Sequence, residues 1–264
     1  MSDDYLETNQ AHWDTMVDAH WESAFYDVPG WLAGRDNLPA LDVEWLPDSL
    51  DGKRLLHLQC HFGQDTLSIA RRGAVVTGAD ISGRAIERAR ELAALAKLEG
   101  TFVQSDVYGL PDRLQGSFDI VYTSWGTIGW LPDVERWAGV VDHFLAPGGQ
   151  FVFLDFHPMV WMYEDDRTRF DYSYFNRGPI SDESSQSYTG DEKAKTRQTG
   201  WNHSLGEVIG ALLRRGLVLE AFEEYDYSPH ACFTNAVEIE PNKYQWRGFE
   251  GVLPMSYALR AKKP

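Results

Sequence analysis

Cysteine is nearly absent from this sequence. Cys60 and Cys232 are the two present, and no Cys-x-x-Cys pair or Cys/His cluster accompanies them. A disulfide framework is thereby excluded, and no metal site is expected. Long apolar runs are also missing, so nothing reaches the roughly 20 residues that a membrane-spanning helix needs. Positive charge is scarce, with 24 Lys and Arg against 40 Asp and Glu and a formal charge of −16. Polyphosphates and anionic membranes select Lys and Arg, so neither nucleic acid nor a membrane is expected as a partner. The first residues, MSDDY, are acidic and polar rather than those of a secretory leader, and the expected location is cytoplasmic. What the sequence has in excess is rings: 13% aromatic residues, 10 of them Trp, more than a core alone requires. They point to a stacking or caging site.

The 264 residues suit one large domain, or one domain with an inserted cap. Residues 1–50 are aromatic and interrupted by Pro29, Gly30, Gly34, Pro39 and Pro47; Trp13, Met16 and Val17 predict an amphipathic helix over about 9–24. From residue 53 apolar runs alternate with helix-period stretches. Strands are expected at 54–58, 74–79, 101–104, 118–123 and 150–156. Between them lie a helix opened by Gly63 and closed at Gly73, one capped by Ser82 and stopped at Gly100, and one bearing Val134, Trp137, Val141 and Phe144 that ends at 147–149. Residues 157–200 break this rhythm and read as an insertion. Ser204 and Glu207 form a capping box for a helix closing at Gly216, and strands at 217–224 and 254–261 complete the chain as an antiparallel pair. The pattern specifies a doubly wound, mostly parallel α/β sheet. The domain divides into a 1–50 cap segment and a 51–264 body carrying the 157–200 insertion.

In such a sheet, ligands lie at the carboxyl ends of the strands. The first strand runs into His57, Gln59, Cys60, His61 and Gly63; the second ends in Asp80-Ile81; the third in Ser105-Asp106-Val107; the fourth in Ser124-Trp125. An acid closing the second strand is placed for a ribose diol. Asp106 is placed for an adenine amino group, with Val107 against its ring. Taken singly, each has a plainer reading. Asp80 can cap the next helix, Asp106 can be a loop acid, Gly63 a tight turn, Cys60 a small buried residue, and Trp125, Trp130 and Trp137 core.

The ordered set resembles the class I S-adenosylmethionine-dependent methyltransferases over about residues 53–156. In that family the first loop is an acid followed by glycines at alternate positions; here those positions hold His57, Gln59, His61 and Gly63, a variant of bacterial type. Asp80, Asp106, the FDIV run at 118–121 and the PGG turn at 147–149 match in order and spacing. The resemblance implies a seven-stranded Rossmann-like sheet, an N-terminal helical lid and an insertion after the fifth strand. It also implies methyl transfer to a small molecule, with S-adenosylhomocysteine as product. Cofactor contacts then fall to Gln59, Cys60, His61, Gly63, Asp80, Ile81, Ser105, Asp106, Val107 and Ser124. Trp125, Tyr26 and Trp130 are expected on the acceptor, and His157 or His203 as a general base, since histidine titrates near neutral pH. Two alternatives stand beside this. A nicotinamide-dependent oxidoreductase would want G-x-G-x-x-G where Gln59 and His61 stand, and no Tyr-x-x-x-Lys pair is present. A catalytically idle binding protein could keep the fold without the cofactor.

Overall fold

The five apolar runs become five parallel strands in the computed structural model, which describes residues 4–163, 169–190 and 192–264. They are β1 (Arg54–Leu58), β2 (Val75–Asp80), β3 (Thr101–Gln104), β4 (Phe118–Ser124) and β5 (Leu145–Phe156). Helices α4 (Gln64–Ala70), α5 (Gly83–Ala96), α6 (Leu110–Arg113) and α7 (Val134–Phe144) connect them. After β5 come the hairpin β6 (Ile180–Gln186) and β7 (Glu192–Gly200), then α8 (Leu205–Arg214) and β8 (Val218–Tyr225). A second hairpin, β9 (Ala236–Glu240) and β10 (Lys243–Trp246), precedes the last strand β11 (Ser256–Lys262). The seven-stranded sheet has the order β3-β2-β1-β4-β5-β11-β8, with β11 antiparallel to both its neighbours. The chain reverses its direction of winding between β1 and β4, so the ligand-binding crevice lies where their carboxyl ends part.

Apolar periodicity accounts for the layers. Val134, Trp137, Val141 and Phe144 of α7 bury one stripe against Val121, Phe151 and Phe153, with Val208 and Leu212 of α8 closing the same cluster. On the other face Ile69 packs against Leu55, Tyr122, Val152 and Ala258. Leu41 and Trp45 of the short helix α3 (Ala40–Trp45) join that cluster, and Trp31 of α2 (Val28–Leu32) packs with Phe62, Leu67 and Ile86. Caps lie where their chemistry predicts: Ser82 accepts from Ala85 N at 3.0 Å, and Ser204 with Glu207 closes the capping box.

Several boundaries differ from the sequence expectation. The N-terminal helix α1 spans Asp4–Glu22, starting earlier than residue 9, with Asp4 and Glu7 placing negative charge on its first turn. Residues 1–3 of the acidic terminus lie outside the described residues. Helix α5 ends at Ala96 and is capped by Lys97, which takes the left-handed conformation (φ 55°) while Leu98 N bonds Ala93 O, so Gly100 is not needed as its stop. Helix α7 ends at Phe144, because Leu145 already pairs with Phe118; the 147–149 turn is an irregular entry to β5. The last strand begins at Ser256, two residues after Pro254. Among the described residues, no helix is long and apolar enough to cross a membrane.

Helix α1 lies across the carboxyl edge of the sheet and is held from two sides. Asn9 exchanges a reciprocal pair of hydrogen bonds with Thr199 of β7, donating through Nδ2 to the carbonyl at 2.8 Å and accepting from the amide at 2.9 Å. On the other side Asp18 pairs with Arg84 and Arg88 of α5 at 2.8 and 2.7 Å. The first contact is buried and the second is at the surface, and the two differ in weight accordingly. Asn9→Ala leaves the Thr199 backbone groups unpartnered and should cost about 1–3 kcal/mol of stability, whereas Asp18→Ala should cost about 0–1 kcal/mol. Urea titration of both variants against the parent protein measures the difference; equal costs would mean that the helix is held mainly by surface charge.

Candidate active site

The loop after β1 is built on three alternate residues with left-handed backbone: Gln59 (φ 56°), His61 (φ 49°) and Gly63 (φ 74°). Glycine adopts this conformation without cost, whereas each of the two side-chain-bearing residues costs roughly 1–2 kcal/mol there. Local bonds hold them. Gln59 donates through Nε2 to Thr127 O at 2.9 Å, and His61 N donates to Asp80 Oδ2 at 2.8 Å. Gly63 has no such freedom to vary, since a Cβ there would stand 2.6 Å from the Phe102 ring.

Asp80 sits at the end of β2 with Oδ1 accepting from Ser82 N at 2.9 Å. Burial raises its pKa from 3.8 to about 6, against the opposing pull of the two backbone amides. Asp106, after β3, accepts from Gly109 N at 3.0 Å, and Ser105 Oγ donates to the Asp106 carbonyl. After β4, Trp125 also takes a left-handed backbone (φ 50°), and the loop that follows closes on Asp155 of β5. That buried carboxylate accepts from the amides of Gly126 (2.5 Å), Thr127 (3.1 Å), Ile128 (3.2 Å) and Phe156 (2.7 Å).

These loops surround a cavity of about 480 Å³. Every residue expected at the cofactor lines it: Gln59, Cys60, His61, Gly63, Asp80 and Ile81 from the first two strand ends, Ser105, Asp106, Val107 and Ser124 from the next two. Tyr26, Trp125 and Trp130 line it as well. Four buried polar atoms of lining residues have no hydrogen-bond partner within the protein, namely His57 Nε2, Gln59 Oε1, Gln64 Oε1 and Asn202 Oδ1. Buried polar atoms are normally satisfied, so these mark where a polar ligand would bond. His57, at the position where an acid would be usual, shares a hydrogen bond with Thr66 Oγ1 at 2.8 Å and is held neutral by burial, its pKa lowered to about 3.

The cover over the cavity comes from α1, from residues 25–26 and from the β6–β7 hairpin, whose residues Ile180, Asp182, Gln198 and Gly200 line it. Its contacts converge on histidines that sequence reasoning missed. His20 of α1 bonds His61 Nε2 through Nδ1 at 2.9 Å and Ser187 Oγ through Nε2 at 2.6 Å. Tyr26 and Tyr188 join their hydroxyls at 2.5 Å, and His12 bonds Thr196 of β7 while stacking on Trp130. No sequence signal links these partners. By contrast, Gln64 could have been found, since it directly follows Gly63 of the loop.

The two histidines expected as bases do not line the cavity. His157 is turned under the sheet edge, with Nε2 on Glu224 Oε1 at 2.9 Å and Nδ1 accepting from Met159 N. His203 donates to Leu131 O at 2.7 Å and approaches Asn176 through its other nitrogen. Burial lowers both pKa values, more than offsetting Glu224 beside His157 and the Leu131 carbonyl beside His203. Both are bonded within turns outside the lining, away from the strand-end residues expected at the cofactor.

Residues 55–149 match the family described as the methyltransferase domain. An uncharacterized methyltransferase of Synechocystis is 33% identical over 134 residues, 50% of this chain and 60% of that one. The demethylmenaquinone methyltransferase of Thermus thermophilus is 34% identical over 44% of this chain and 56% of its own length. The chain thus spans less than two thirds of these relatives. Among solved structures, an S-adenosylmethionine-dependent methyltransferase of Mesorhizobium loti superposes with a TM-score of 0.59 at 26% identity, covering 88% of this chain and 99% of that one. The sheet order, the strand-end loops and these matches together give the class I methyltransferase fold.

The Asp155 junction yields a test of the site's framework. Asp155→Asn turns an amide nitrogen toward backbone N–H groups that now meet a carboxylate, so about 2–3 kcal/mol of stability should be lost. Thermal and urea unfolding check this, and a cost below about 0.5 kcal/mol would show that the post-β4 loop holds without the carboxylate.

Proposed function

We propose that this protein is a methyltransferase that uses S-adenosylmethionine to methylate a small molecule. The observation that carries the reading is the first loop. Gln59, His61 and Gly63 keep the left-handed backbone of a glycine loop and are tied through His61 N to the acid that closes β2. The residues present fit the cofactor. Asp80 has one backbone donor on each oxygen and room to accept ribose hydroxyls; Asp106 and Val107 suit the adenine. The unpartnered Gln59 Oε1 and Gln64 Oε1 suit the amino group of the methionine part. A nicotinamide dinucleotide fits less well, because its pyrophosphate needs a close backbone approach that the Gln59 and His61 side chains obstruct.

Bound S-adenosylmethionine supplies a methyl group already activated on a sulfonium. The protein's part is then to hold the acceptor in line with it and to keep water out, which can supply most of the acceleration. The covering helix and hairpin serve the second task, and the wall beyond β4 and β5 serves the first. With His157 and His203 turned elsewhere, catalysis is carried by positioning. The two named relatives and the Mesorhizobium structure support this reading, and a cavity of about 480 Å³ suits a small-molecule acceptor.

Calorimetry with S-adenosylhomocysteine and with NADH tests the reading: the first should bind and the second should not. Asp80→Ala should weaken S-adenosylhomocysteine at least about tenfold, the loss of a charge-assisted pair of hydrogen bonds. Unchanged affinity in that variant would remove the reading. The pKa near 6 adds a pH dependence. A hydroxyl donates best to the ionised carboxylate, so affinity should fall as pH drops through about 6, and Asp80→Asn should flatten the profile. Stability through Asp80 runs the opposite way. Its folded pKa lies above the unfolded 3.8, so the contribution is fully present below about 4 and is lost as pH rises through about 6.

A further inference from the structure

The wall facing the acceptor is a band of rings drawn from distant parts of the chain. Trp125, after β4, meets Phe156 of β5 at 5.5 Å and His230 at 5.4 Å between centroids. His230 meets Phe25 at 5.6 Å, and Phe156 meets Trp161 at 5.8 Å. All five line the cavity, and Trp161 and Phe25 are 39% and 37% exposed, so ring faces are left open rather than spent in a core. Burial lowers the His230 pKa to about 4, which leaves its ring neutral near pH 7.

Charge on this wall has one sign. Asp182 of β6, Asp65 of α4 and the strand-end acids Asp80, Asp106 and Asp155 face the cavity, and no Lys or Arg lines it among the described residues. A further acid stands behind the band. Asp42 of α3 is fully buried, accepts the Trp125 indole N–H at 2.9 and 3.1 Å on its two oxygens, and also accepts from the Tyr122 hydroxyl. Burial raises the Asp42 pKa to about 7, so near neutral pH it is ionised in part; in that form it pushes electron density onto the indole faces, which strengthens their attraction for a positive group.

From this we infer that the acceptor is an aromatic compound that is neutral or carries an amine, and that carboxylates and phosphates are rejected. The inference rests on the methyl-transfer reading for the word acceptor, and on the ring wall for the chemistry. A planar ring stacks on Trp125, Phe156 or Trp161. An ammonium group gains from the ring faces and from the acids around them. An anion would lose its water against those same groups with no counter-charge to replace it.

Three probes with one ring and different charge test it: indole, tryptamine and indole-3-acetate, titrated calorimetrically into the full chain with and without S-adenosylhomocysteine. Tryptamine should bind about threefold tighter than indole and at least about tenfold tighter than indole-3-acetate. Trp161→Leu should weaken tryptamine and indole at least about threefold while the melting temperature holds. Indole-3-acetate binding as tightly as tryptamine would overturn the inference, as would failure of all three probes to bind or their indifference to Trp161→Leu. The arm without S-adenosylhomocysteine keeps the two readings apart. Absence of S-adenosylhomocysteine binding would sink the methyl-transfer reading alone, while the order among the probes decides the ring wall by itself.

Discussion

One carboxylate organises the strand-end loops of this protein. Asp80 takes the His61 amide on one oxygen and the Ser82 amide on the other, so it ties the loop after β1 to the start of α5. Ser82 in turn donates its hydroxyl to Asp14 of α1 at 2.5 Å, which extends the same chain of bonds to the covering helix. The arrangement works because two left-handed residues, Gln59 and His61, aim the loop back at β2. Their backbone cost is offset by bonds that a glycine could not make, the Gln59 amide on Thr127 and the His61 ring on His20. A loop lacking two glycines can therefore keep a glycine loop's path, with side chains supplying what small size would otherwise supply.

The parallel frame was legible in the sequence because apolar runs of strand length alternate with stripes of helical period, and both signals are local. The capping box at Ser204 and the cap at Ser82 were legible for the same reason. Boundaries set by pairing were not. Leu145 belongs to β5 because Phe118 lies opposite, and Lys97 ends α5 because Leu98 folds back onto Ala93, facts that no window around either residue contains.

At the site, legibility followed strand order. Asp80 and Asp106 could be picked out because they follow strands at the edge where ligands bind. His157 follows a strand as well, yet Glu224 arrives beside it from 67 residues further along the chain and holds it away from the cavity. The cover is the extreme case. Asn9 and Thr199 recognise each other across 190 residues, and His20 finds Ser187 across 167. The aromatic excess pointed to a ring-lined site, but which rings line the cavity depended on where residues 25, 161 and 230 came to rest.

His61 stands in two structures at once. Its amide belongs to the loop that would cradle the cofactor, and its ring belongs, through His20 and Ser187, to the helix and hairpin that cover the cavity. A ligand that shifts the loop thus shifts the balance of the cover, and thermodynamic linkage makes the effect mutual. Whatever factor the loop's ligand contributes to holding the cover shut, a closed cover returns to that ligand's affinity. The two substrates of such a site need never touch to sense each other. On the methyl-transfer reading, an acceptor that seats the cover would tighten the hold on the cofactor, and a spent cofactor leaving its loop would loosen the door for the product.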